Sequence, residues 1–141
     1  MTYQITLEEK VAAEDNRILG AGIERHVRGL FPDSSVADVS FFLRDDAGTI
    51  VGGVAGNYGS FGWLYIDQLW VSGDLRGQGY GTKLMAAIEG EAVRHGSNNV
   101  YLNTFSFEAP EFYKKLGYTV FAELEDFPPG HKRIFLRKEL A

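Results

Sequence analysis

The sequence predicts a mixed α/β domain: about seven strands in one mostly antiparallel sheet, flanked by helices. Three observations predict it. Short apolar runs with two-residue alternation are separated by turn clusters such as Asp45-Asp46-Ala47-Gly48, the pattern of a hairpin meander. Midway, the strand-like run Trp63 to Val71 passes through a glycine-rich turn into a helical run, where Leu84, Ile88 and Ala92 recur at four-residue spacing. A further apolar run, Val100 to Thr104, follows. A strand–helix–strand unit of this kind crosses over to a parallel partner, so the sheet is mixed.

The bulk numbers set limits on partners. A chain of 141 residues is long enough for one domain with a real core. No repeat, low-complexity tract or linker divides it, so residues 1–141 read as a single domain. There is no cysteine, which excludes disulfides, thiolate zinc sites and a cysteine nucleophile together. No His/Asp/Glu spacing resembles a metal site, so no metal is expected. The formal net charge of −5 disfavours nucleic acid and suits a cationic partner such as an amine. No apolar run approaches a bilayer span, and Met1 to Lys10 mixes acids into an alternating pattern unlike a signal peptide. The expectation is a cytoplasmic protein with no membrane partner.

Taken in order, Tyr3, Ile5 and Leu7 alternate with polar residues and predict a first strand. Ala13 to Phe31 has helical spacing, linking Ile23, Val27 and Phe31, and is read as one helix or two short ones. Pro32-Asp33-Ser34-Ser35 is a loop. Asp38 to Arg44 and Thr49 to Gly56 form a hairpin, and Asn57 to Gly62 turns into the strand Trp63 to Val71. Gly96 stops the long helix. After Val100 to Thr104, Phe105 to Leu116 holds a loop and a short helix, with Pro110 in its first turn and Gly117 at its end. Tyr118 to Leu124 and Lys132 to Glu139 close the sheet around a loop containing Pro128-Pro129-Gly130.

The turn between the central strand and the long helix carries the chemistry. Gly77, Gly79 and Gly81 alternate at the head of the helix. Backbone N–H groups there lack helical acceptors, and with the positive dipole end they make a phosphate site. The P-loop pattern fails at Thr82, and a dinucleotide fingerprint beginning at Gly77 also fails there. A nucleotide-binding domain of either kind is therefore disfavoured.

The string Arg76-Gly77-Gln78-Gly79-Tyr80-Gly81 does match Gln/Arg-x-x-Gly-x-Gly/Ala. This resembles the acyl-CoA pyrophosphate loop of the GNAT superfamily of N-acyltransferases. A second stretch, Ala109-Pro110-Glu111-Phe112-Tyr113-Lys114-Lys115-Leu116-Gly117-Tyr118, resembles that family's Ala-x-x-Phe-Tyr-x-x-x-Gly-Phe/Tyr signature. The resemblance covers the chain after about residue 36 and is weaker before it. It implies the GNAT fold, acetyl-CoA as co-substrate, and transfer to a primary amine of a small molecule or peptide by direct attack. A catalytically silent acyl-CoA-binding or sensing module on the same fold is the alternative. A homodimer is compatible with the family.

The resemblance also implies roles. Leu69, Trp70 and Val71 offer backbone to the pantetheine arm. Arg76, Gly77, Gln78, Gly79, Tyr80, Gly81 and Thr82 hold the pyrophosphate. Tyr113 stands beside the sulfur as general acid, since a phenol of pKa ~10 can exchange a proton with a thiol of ~8.5. Ser106 stands where many members carry Asn, and supplies one hydrogen bond to the cofactor instead of a two-ended amide. Period-two geometry puts Tyr65 and Asp67 on the face of Leu69. Asp67 is the expected base or amine anchor, and Tyr65 a substrate contact. His131, in the last loop, is a second substrate contact. Glu108, Glu111, Glu123, Glu125 and Asp126 add negative potential, and His26 and His95 read as structural.

Overall fold

The computed structural model describes residues 1–140. The chain divides into two compact units, Met1–Ser34 and the remainder from Ser35 onward.

The first unit holds one helix, α1, Ala13–Leu30. Of the two expected arrangements, the single helix is the one formed. It ends where the Phe31 N–H donates to Val27 O at 2.8 Å, just before Pro32. The strand expected at Tyr3 to Leu7 is absent: residues 1–12 have neither helix nor strand. Alternation marks a face, but a strand exists only when a neighbouring edge takes its hydrogen bonds.

The second unit is a sheet of six strands among the described residues, one fewer than expected. These are β1 (Val36–Arg44), β2 (Ile50–Gly59), β3 (Trp63–Val71), β4 (Asn99–Phe105), β5 (Thr119–Glu125) and β6 (Lys132–Glu139). Their order is β1-β2-β3-β4-β6-β5. Only β3 and β4 run parallel, joined through the crossover helix α2 (Tyr80–Arg94) as the strand–helix–strand pattern required. A short helix, α3 (Pro110–Lys115), begins with Pro110 at its first turn.

One sheet face forms the core. Val54, Leu64, Ile66, Val100, Leu102 and Leu136 are buried there with Met85 and Ile88 of α2. Each such side chain contributes about 1.5–3 kcal/mol on leaving water. Phe112, Tyr113 and Leu116 pack against the same core. The opposite face carries Tyr65, Tyr101, Asn103, Phe105, Arg133 and Phe135 by strand alternation.

A bulge in β3 corrects one expectation. Ala55 pairs with Gln68, but the next residue, Gly56, pairs with Ile66, so Asp67 is an extra residue on β3. An inserted residue reverses the alternation that follows it. Leu64 and Ile66 face the core before the bulge, and Leu69 and Val71 pack against it after. Tyr65 and Leu69 therefore lie on opposite faces, and Asp67 occupies the bulge itself. Gly56 is required opposite it, because a Cβ there would overlap the Tyr65 carbonyl oxygen.

Candidate active site

The bulge opens a cleft. The β3–β4 ladder runs only from Trp63/Asn99 to Ile66/Leu102, and past it the two strands no longer pair. The gap is a cleft of about 380 Å³ whose walls include Asp67, Leu69, Trp70, Asn103, Glu108 and Tyr113. Past Ile66, β3 has no strand partner on its β4 side. That leaves an extended edge to which a ligand's amide groups can add as another strand would.

Beyond the cleft, β3 runs through a 3₁₀ turn (Gly73–Leu75) into the glycine loop. The glycines have distinct causes. Gly77 (φ 76°) and Gly79 (φ 87°) hold left-handed backbone, which side chains with a Cβ resist. Gly81 is helical, and a Cβ on it would lie 3.2 Å from Phe112 Cζ. It lets α2 settle against α3. The first backbone bond of α2 runs from Lys83 N–H to Gly79 O at 3.1 Å. Among the described residues, the N–H groups of Gly77 to Thr82 have no backbone acceptor outside the helix. Arg76 and Gln78 brace the loop instead of facing inward: Arg76 Nε donates to Val71 O (3.2 Å), and Gln78 Nε2 to Asp74 O (3.3 Å). Tyr80 packs its ring under the Lys83 ammonium. A run of free main-chain donors at a helix N-terminus fits a diphosphate.

Tyr113 is set by its neighbours. Its ring meets Phe112 at 5.1 Å and Tyr118 at 5.9 Å, both edge-on. Tyr118 is buried, and its hydroxyl donates to Glu89, which also accepts from Lys138 Nζ at 3.1 Å. The Tyr118 N–H donates to Tyr113 O at 3.1 Å, fixing the end of α3. Burial, and secondarily the Glu108 carboxylate, push the Tyr113 phenol up to about 12. Burial and Glu89 raise the Tyr118 phenol further still. Glu108 Oε1 accepts the Phe105 N–H at 3.1 Å, which holds this carboxylate at the cleft.

The remaining expected residues fall into two groups. Asp67, Leu69 and Trp70 share the cleft with Tyr113. Tyr65 stands behind it, its hydroxyl accepting from Asn103 Nδ2 at 3.2 Å. Ser106 is absent from the cleft walls. Its Oγ accepts the Lys132 N–H at 2.9 Å and its own N–H donates to Lys132 O at 2.8 Å, tying the end of β4 to the start of β6. His131 packs edge-on against Phe107 at 5.1 Å, in the loop before β6. His95 stacks on Tyr58 and contacts Glu91.

Asn103 and Thr104 also line the cleft, and no motif in the sequence points to them. Asn103 is the one polar side chain between Leu102 and Thr104 in β4, so strand alternation turns it away from the core, toward Tyr65. Among the described residues no group of His, Asp and Glu could hold a metal ion, and no helix is long and apolar enough to cross a membrane.

The comparisons agree with this architecture. The acetyltransferase (GNAT) family model matches residues 12–118. A blasticidin-S acetyltransferase from Streptomyces morookaense is 38% identical over 96 residues, 67% of this chain and 70% of that one. The crystal structure of an acetyltransferase from Bacillus cereus superposes with a TM-score of 0.81 at 34% identity, covering 95% of this chain and 97% of that one. An aminoglycoside 6'-N-acetyltransferase complexed with coenzyme A shares the fold at a TM-score of 0.64 and 20% identity, covering 74% of this chain and 73% of that one. The splayed strands, the glycine loop and the family match over residues 12–118 lead to one assignment: the chain belongs to the GNAT acetyltransferase family.

Proposed function

We propose that this protein transfers the acetyl group of acetyl-CoA to a primary amine of a small molecule, by direct attack and without an acyl-enzyme. The observation that carries the reading is Tyr113, whose side chain lines the cleft between the parted strands that lead into the free N–H groups of the loop.

The roles follow from chemistry. The loop N–H groups from Gly77 to Thr82 bind the diphosphate, and the unpaired edge of β3 at Leu69 to Val71 aligns the pantetheine arm. A β3 N–H stabilises the oxyanion as the amine nitrogen bonds to the thioester carbonyl carbon. Asp67 anchors the ammonium and accepts its proton, directly or through water. As the carbon–sulfur bond breaks, the Tyr113 hydroxyl donates a hydrogen bond to the departing sulfur. With the phenol held at about 12 and a thiol near ~8.5, complete proton transfer is uphill by about 5 kcal/mol. Tyr113 therefore acts chiefly as a hydrogen-bond donor, and solvent completes the protonation. The names of relatives that acetylate blasticidin S and aminoglycosides support an amine-bearing small molecule as acceptor.

Tyr113→Phe is the test. Thiol release should fall by roughly 10²–10³-fold, the usual worth of one positioned donor to a developing anion, with CoA affinity by calorimetry unchanged. A drop of less than tenfold removes Tyr113 from the mechanism. Tight binding of acetyl-CoA with no thiol release for any amine identifies a silent binding module instead.

A further inference from the structure

Arg133 is held in place by its neighbours in β4, β6 and the loop before β6. It sits on β6 opposite Phe105 of β4. Its guanidinium lies over three aromatic rings, 5.6 Å from Phe105, 5.2 Å from Phe127 and 5.8 Å from Phe135. Its Nε donates to Asn103 Oδ1 at 2.8 Å. These contacts fix the plane of the fork. No described carboxylate pairs with it, although the acidic chain forms ion pairs elsewhere. The two terminal amino groups have no partner among the described residues.

The surroundings decide what such a group is for. Asn103, to which Arg133 is bonded, lines the cleft with Asp67 and Glu108. The Asp67 carboxylate likewise has no hydrogen-bonding partner among the described residues, while Glu108 is held by the Phe105 N–H. The site thus offers carboxylates within the cleft and a cation one residue behind its wall. The chain Arg133–Asn103–Tyr65 is polarised in one direction: Arg133 donates to Asn103, Asn103 donates to Tyr65, and the Tyr65 hydroxyl proton has no acceptor among the described residues. Charge-assisted networks of this kind strengthen their last donor.

We propose that Arg133 is the carboxylate-binding group of the acceptor site, and that the acceptor is a zwitterion, an amine that also carries a carboxylate. The ammonium is drawn to Asp67 and Glu108, the carboxylate takes the planar fork of Arg133, and Tyr65 adds a hydrogen bond. A forked guanidinium matches a carboxylate bidentately, and an ammonium does not. The proposal rests on the acetyl-transfer reading above and narrows its substrate class.

The test uses matched pairs. Glycine, β-alanine, γ-aminobutyrate and the aromatic L-amino acids are each compared with their methyl esters, using acetyl-CoA and a thiol reagent. The ester nitrogen is less basic, so more of it is neutral, and intrinsic reactivity favours the ester. The expected result is at least one acid preferred over its ester by tenfold or more in kcat/KM. In Arg133→Met that ratio should fall toward one, through KM. Asn103→Asp gives the guanidinium an internal carboxylate while keeping its ring packing, and should lower the ratio as well. Calorimetry of the CoA-bound protein should show the acid binding more tightly than the ester in the wild type alone, and CoA affinity reports that each variant is folded. If esters are acetylated but no acid is acetylated faster than its ester, this inference is overturned and the transfer reading stands; if acetyl-CoA binds and no amine releases thiol, both are overturned. A preference that survives in both variants also overturns it. Failure of the wild type to bind acetyl-CoA overturns both.

Discussion

The glycine loop and the Asn103–Arg133 rim do opposite things with the sequence. The loop presents main chain. Its donors are N–H groups from consecutive residues, and its side chains, Arg76 and Gln78, turn back to brace the turn itself. The rim presents side chains. Tyr65, Asn103 and Arg133 come from β3, β4 and β6 and meet only because the sheet places those strands side by side. A backbone site tolerates side-chain exchange and is broken by a change of φ. A side-chain site tolerates small backbone shifts and is broken by a single lost atom. The bulge at Asp67 joins the two, since the same irregularity frees the edge of β3 and parts it from β4.

Gly56→Ala attacks that junction and carries the largest expected effect on stability. The added Cβ would overlap the Tyr65 carbonyl, a main-chain atom that cannot rotate away. The cost should reach or exceed the upper end of the ~1–3 kcal/mol usual for overpacking. Thermal unfolding would show a fall of several degrees, and both CoA affinity and turnover should suffer. If stability is unchanged, the bulge does not depend on this glycine.

Gly79→Val tests the loop alone. A branched side chain at φ 87° costs roughly 1–2 kcal/mol in the left-handed region, and relief of that strain turns the N–H groups off target. CoA should bind about tenfold more weakly or worse, while global stability falls by no more than that strain, since the exposed position has little packing to lose. Unaltered CoA affinity would mean that the loop's backbone conformation does not matter to binding.

The same contrast explains what was legible in the sequence. The loop is contiguous, so its glycines, its strand before and its helix after could all be read from one string. The helix stripe of Leu84, Ile88 and Ala92 and the turn at Gly117 were legible for the same reason. The bulge was not, because nothing in Tyr65 to Leu69 marks where a register slips; the mark is Gly56, on another strand. Arg133 was invisible for a related reason: its partner Asn103 and its rings Phe105 and Phe127 are brought together by the sheet and the loop before β6. The Tyr3 to Leu7 alternation misled because it specifies a face and not a partner.

Titration separates the two halves further. The Tyr113 phenol is raised to about 12, first by burial and then by Glu108, above its unfolded value of ~10. Its folded-state contribution is therefore complete below pH ~10 and is lost as pH climbs toward the folded value. Over the working range the phenol keeps its proton. The rate should rise as the acceptor amine loses its own, with no falling limb below pH ~10. Acetyl-CoA affinity, resting on main-chain donors, should stay flat from about pH 7 to 10, since neither a backbone N–H nor the thioester titrates there. A falling limb centred near pH 9 would assign the proton to a different, more acidic group.

The smallest effect is the sharpest check on the loop. Gln78 sits between the two left-handed glycines, where a side-chain reader of phosphate would be expected. Its amide instead donates to Asp74 O at a long 3.3 Å. Gln78→Ala removes that brace and nothing that faces a ligand. An exposed substitution of this kind changes free energies by less than about 0.5 kcal/mol, so CoA affinity should move by no more than about twofold. A tenfold loss would make the Gln78 amide itself a phosphate ligand. The loop would then read its anion partly by side chain, as proposed for the rim, and the contrast between the two regions would narrow to one of sequence spacing.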